Sequence, residues 1–140
     1  LAIKGDFTKL GRLQSNLSRL AQVPSQVATD ASKRIAAIIE EEFEQGKDPY
    51  GRNWAPLKPA TLRKGRRPPP LTDTHAMRDS VRVAPLHGSG IAVTIDDPAN
   101  IHQTGSRDMV ARPILPRAGF PASWSGAIRD ATQARIKEKF

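Results

Sequence analysis

The apolar positions at the start of the chain recur at steps of three and four, through Phe7, Leu10, Leu13, Leu17 and Leu20. That period predicts a helix with one apolar face. Gly11 weakens it, because glycine inside a helix costs about 1 kcal/mol against alanine. Pro24 punctuates the chain and suits the first position of a second helix, where its missing N–H is harmless. From Ser25 to about Gln45, the residues Val27, Ala28, Ala31, Ile35, Ile38, Ile39 and Phe43 make a broad apolar stripe. Glu40, Glu41 and Glu42 fall near its C-terminal end, against the helix dipole. Gly46 is placed to cap this helix and Pro49 to enforce the stop.

The pattern then breaks. Lys47-Asp48-Pro49-Tyr50-Gly51 is turn chemistry. Trp54, Leu57 and Leu62 are candidate anchors to a core, and after them Arg63, Lys64, Gly65, Arg66 and Arg67 run into Pro68-Pro69-Pro70. Three consecutive prolines exclude a regular helix or a central strand. The expectation is a long, mobile basic loop over about residues 58–70. Thr72 or Asp73 is placed to cap a short helix reaching about Asp79.

Period-two alternation follows. Val81 and Val83, then Ile91, Val93 and Ile95, alternate with smaller or polar residues around His87-Gly88-Ser89-Gly90. This predicts an antiparallel hairpin with one buried face. Asp97-Pro98 ends the second strand, and a short helix runs to about Thr104, stopped by Gly105. A third extended run, roughly Met109 to Leu115, contains Pro113 and so reads as an edge strand. Ser123 or a neighbour caps a last helix bearing Trp124, Ala127, Ile128, Ala131 and Ile136. The predicted fold class is α+β, a small antiparallel sheet packed against a long helix, with a long basic loop, in a single domain spanning 1–140.

Composition narrows the chemistry. The chain has 140 residues and no cysteine, which excludes disulfides, thiolate metal ligands and a cysteine nucleophile. With an aromatic fraction of 5%, the core must rest mainly on Ile, Leu, Val and Ala. No apolar run approaches the ~20 residues of a membrane span, so no membrane partner is expected. Nothing at the start reads as a signal peptide. The first residue is Leu1 rather than Met, so the native terminus is expected upstream. A net charge of +8 favours polyanions or acidic protein surfaces.

No catalytic constellation emerges. His75, His87 and His102 have no metal-ligand spacing, and no serine sits in a Gly-x-Ser-x-Gly elbow. His102 reads as a residue of a packed turn whose ring bonds backbone. Asp96 and Asp97 are ordinary for the end of a strand. No cofactor, metal or enzymatic activity is expected, and the missing acid–base constellation argues against a small hydrolase or nuclease. The basic loop alone asks for a partner: Lys58, Arg63, Lys64, Arg66 and Arg67 place five cations within ten residues. They could neutralise phosphates without reading sequence, but no aromatic side chains interleave with them to stack bases. A solvated loop and an acidic protein partner stand beside that reading.

Several short motifs in order resemble a known family. Gly51, Trp54, Pro56 and Leu57, followed by Thr61, resemble its G-x-x-W-x-P-L segment and later Thr. Ile101, His102, Gln103 and Gly105 resemble its Ile-His-Gln-x-Gly segment, and Ala111, Arg112, Pro113, Ile114 and Leu115 its Ala-Arg-Pro motif. The resemblance is to the phage virion morphogenesis, or tail-completion, family of Mu-like phages, akin to neck and tail-component proteins of long-tailed phages. It covers roughly residues 7–117. Two positions depart from the pattern: Thr74-His75-Ala76-Met77 replaces the usual Gly before Leu, and Ala99-Asn100 the common Tyr-Ala.

The resemblance implies a structural role in head–tail joining or tail completion, assembled as a homo-oligomeric ring with connector, neck or tail-tube proteins. It places the chain in the virion, at the head–tail junction or tail, after assembly in the host cytoplasm. Contact with packaged DNA is a further expectation, and the alternative function is a sequence-independent DNA-binding module acting through the basic loop. Physically, Trp54 and Leu57 are expected to pin the loop, Gly105 to adopt a positive φ, and Arg112 to present a donor fork to a neighbour from an exposed edge.

Overall fold

A computed structural model describes residues 5–6, 8–72, 75–88, 90–97 and 99–139. Its spine is α1, Thr8–Gln45, a helix of 38 residues and about 57 Å at 1.5 Å per residue. The short helices α2 (Pro59–Arg63) and α3 (Ala76–Asp79) follow, then the strands β1 (Arg82–Pro85) and β2 (Ile91–Thr94). Helices α4 (Ala99–Thr104) and α5 (Ala122–Lys139) complete the chain.

Pro24 does not divide α1; the helix runs through it. The expected break is corrected by packing. Proline removes one backbone hydrogen bond and crowds the carbonyl four residues earlier, a cost of about 3 kcal/mol. Beyond it the helix buries Ala28, Ala31, Ile35, Ile39 and Phe43, and each large apolar side chain so buried returns about 1.5–3 kcal/mol. Gly46 ends the helix with φ +66°. The leucine face before Pro24 is not part of the core: Leu10, Leu13, Leu17 and Leu20 are all exposed. Phe7, expected on the same face, lies outside the described residues.

β1 and β2 form the expected hairpin, antiparallel, with Val83 opposite Val93 and Pro85 opposite Ile91. Val83, Ile91, Val93 and Ile95 are half-buried against one core made of Ile35, Ile39, Phe43, Trp54, Ala99, Ile114, Trp124 and Ala127. Phe43 and Trp54 meet edge to face at 5.3 Å between ring centroids, a favoured aromatic geometry. α5 runs back along α1, and Arg135 grips Asp30 through two hydrogen bonds of 2.6 and 3.0 Å. A long helix packed on a two-strand antiparallel sheet is the predicted α+β class.

Two expectations about irregular segments are corrected. Residues 58–70 are not wholly without structure: Pro59 opens α2, where a missing N–H is harmless, and Pro70 is buried. Leu62 is exposed rather than an anchor. Residues 109–115 form no strand; among the described residues only an isolated bridge joins Ser106 and Met109. The short helix before the hairpin begins at Ala76 after His75 in a left-handed conformation. Thr72 does not cap it but donates its hydroxyl back to the Pro69 carbonyl, while Asp73 lies outside the described residues.

Candidate docking site

Most of the partners found for backbone groups of 111–115 are side chains rather than a neighbouring strand. Trp54 Nε1 donates to the Pro113 carbonyl at 2.7 Å. Gln103 Oε1 accepts from Ile114 N at 2.7 Å and Leu115 N at 2.8 Å, while its amide donates to the Leu115 carbonyl at 2.9 Å. A single amide thus replaces a strand's worth of partners. Arg112 N donates to the His102 carbonyl at 2.7 Å. These backbone groups find partners, as burial requires, without a ladder.

Arg112 is correspondingly turned inward. It is buried, with Nε donating to the Ala55 carbonyl at 2.8 Å and Nη2 to the Pro56 carbonyl at 3.0 Å. The expectation of an exposed fork aimed at a neighbour is corrected. The planar guanidinium reaches across the fold because two adjacent carbonyls lie at its own fork spacing. Burial pushes its pKa below the ordinary arginine value.

Gly105 has φ +76°, and a Cβ there would lie 2.9 Å from both Ala111 N and the Met109 carbonyl oxygen. Glycine is therefore required twice over, by conformation and by space. Gly51 also has positive φ but open surroundings. It closes a turn in which Asp48 Oδ1 accepts from Tyr50 N and Arg52 N, each at 2.9 Å. Ile101 is exposed, whereas Leu57 is half-buried.

The motif residues converge on one wall. Pro56, Leu57, His102 and Arg112 line a groove of about 430 Å³ whose floor includes Leu71, Met77 and Met109. Lys58, Lys64, Arg66 and Arg67 rim it; Arg63 does not line it. Lys58 Nζ donates to the Asp108 carbonyl at 3.2 Å. Thus the basic segment and the later motifs bearing His102 and Arg112, separate in sequence, share a cleft with an apolar floor and a cationic edge.

His102 is the unusual group here. Its Nδ1 is buried without a hydrogen-bond partner, while its carbonyl accepts from Arg112 N. Burial, then the nearby Arg112 charge, push its pKa down, keeping the imidazole neutral near pH 7. No group of three or more His, Cys, Asp or Glu side chains suited to a metal occurs among the described residues.

Sequence reasoning missed the central place of Gln103, although the Ile-His-Gln segment named it. It also missed Tyr50, whose hydroxyl accepts from Ala118 N at 3.0 Å and lies 2.6 Å from the Gly119 carbonyl. Arg117 likewise donates to the Gln103 carbonyl. An amide or phenol embedded in a turn-rich motif is the only signal for such bracing.

These elements define a small α+β protein whose shared motifs brace irregular backbone around a groove. The phage virion morphogenesis family matches residues 6–137, and the chain belongs to that family. Comparison with curated proteins and with solved structures yields no match. Membership makes this a phage structural, morphogenetic protein associated with the virion. Among the described residues, no helix is long and apolar enough to cross a membrane.

Proposed function

We propose that the protein acts in head–tail joining or tail completion by assembling into a ring and docking a connector, neck or tail-tube protein. The carrying observation is the groove, where motif residues and four basic side chains meet over an apolar floor. Such a surface suits an acidic segment with apolar anchors: the rim supplies charge-assisted contacts and the floor supplies buried area. No activity beyond binding is needed, and a head-to-tail contact that closes makes a ring without chemistry.

The apolar floor favours this reading over DNA binding, for which a cationic track along the phosphates would suffice. Particles made without the protein should accumulate as unjoined heads or unfinished tails under electron microscopy, and supplying it should complete them. Complete, infectious particles formed in its absence would overturn the proposal. A gel shift by duplex DNA that vanishes with added salt, together with failure to bind any neck or tail protein, would favour the DNA-binding module.

A further inference from the structure

Residues 8–22 of α1 form a helical arm of about 22 Å that the fold does not cover. Every residue of the arm is exposed except half-buried Asn16. Leu10, Leu13, Leu17 and Leu20 are 38% to 59% exposed, and their three-four-three spacing sets them along one side of the helix. A helix of this length is marginal alone in water, and a row of exposed leucines marks a contact surface.

Charge selects what the arm contacts. Lys9, Arg12 and Arg19 are its only charged residues, and no acidic residue occurs from 8 to 29. Two arms laid together would oppose like charges. The other end of the same helix is the reverse: Glu40, Glu41, Glu42 and Glu44 crowd its last two turns, with Asp48 just beyond. Glu41 and Glu42 line a cleft with Ile38, Pro49 and Tyr50, together with Lys47 and the buried Asp48. This cleft offers apolar surface to leucine side chains, and the exposed Glu40, Glu41 and Glu44 at the same end of the helix offer carboxylates to arginine and lysine.

We propose that the leucine arm of one copy docks on the acidic end of α1 in a second copy, and that this head-to-tail contact is the assembly interface. The proposal rests on the ring reading above and names its surface. The contact is heterologous, because a patch at one end of the helix meets a different patch at the other. Repeated, it makes a ring where the rotation closes and a filament where it does not. Burial, then the like charges of Asp48 and Glu41, raise the Glu42 pKa to about 7, and a cationic arm would relieve the like-charge part.

The test is a charge swap read by native mass spectrometry, with circular dichroism confirming that each variant folds. One variant carries K9E, R12E and R19E; the other carries E40K, E41K and E44K. Each alone should remain monomeric where the unaltered protein assembles, and mixing the two should restore assembly, because every arm then faces an opposite charge. L13S with L17S should also abolish assembly without lowering helix content in the core. Assembly of either charge variant alone, or of the leucine variant, would overturn the arm proposal while leaving a ring built through another face. An unaltered protein that stays monomeric at every concentration would overturn the ring reading itself.

Discussion

The buried guanidinium of Arg112 answers two backbone carbonyls, Ala55 and Pro56, rather than a carboxylate. Its removal leaves both carbonyls without their charged donor. Arg112→Ala is therefore expected to lower stability by about 2–3 kcal/mol, and Arg112→Lys to recover little, since a point charge cannot match the fork. Chemical denaturation of the isolated protein measures both. Nothing in the Ala-Arg-Pro sequence distinguishes an inward from an outward arginine. The direction is decided by carbonyls 56 and 57 residues away in the chain.

Glu42 makes a residue-scale prediction of the opposite sign. Burial, then Asp48 and Glu41, raise its pKa from 4.5 to about 7. Between those values the folded protein holds a proton that the unfolded chain has lost, so stability falls as pH rises. The site's contribution is fully present below about pH 4.5 and is lost as pH rises through about 7. Glu42→Gln should thus stabilise the monomer at pH 8, by about 1 kcal/mol once solvent screening is discounted. At pH 5 it should change little. Thermal melts at the two pH values test this, and equal effects at both would contradict it.

At the scale of elements, the decisive joint is the one where α4 ends and the 109–115 segment turns back. Gly105→Ala would force a Cβ to within 2.9 Å of two backbone atoms, while a positive φ already costs an L-residue about 1 kcal/mol or more. Trp54→Ala would open a cavity beside Phe43 and lose the bond to Pro113. Losses of about 3–5 kcal/mol are expected for the tryptophan, and comparable damage from the glycine change. Calorimetry of each variant checks the ranking against Gly51→Ala, whose open surroundings predict a smaller loss.

The hairpin was legible because period-two alternation depends on neighbours in sequence, and Val83 does pair with Val93. The stop at Gly46 was legible for the same local reason. Continuity of α1 through Pro24 was not, since local propensity opposes it and tertiary packing beyond the proline outweighs that cost. The extended run at 109–115 misled because its backbone partners are side chains from Trp54 and Gln103, not a strand. The candidate site was half legible: its motif residues and basic residues were each visible, but their meeting across one groove is a tertiary fact.

Across the whole molecule, α1 is both scaffold and a carrier of separated charge. Its middle and C-terminal portions hold the core, while the side chains of its basic leucine arm and of Glu40, Glu41 and Glu44 at its acidic end remain exposed. The groove built by the motif residues is lined by a different set of side chains from the acidic cleft, as a separate partner's site would require. On the proposals made above, two surfaces for its own kind and a third for a neighbour would equip the subunit to form a ring and join it to something else. The most direct measurement is native mass spectrometry of the unaltered protein over rising concentration at low and moderate salt. The account predicts one closed stoichiometry, weakened as salt screens the arm's charges. A monomer under every condition would contradict it.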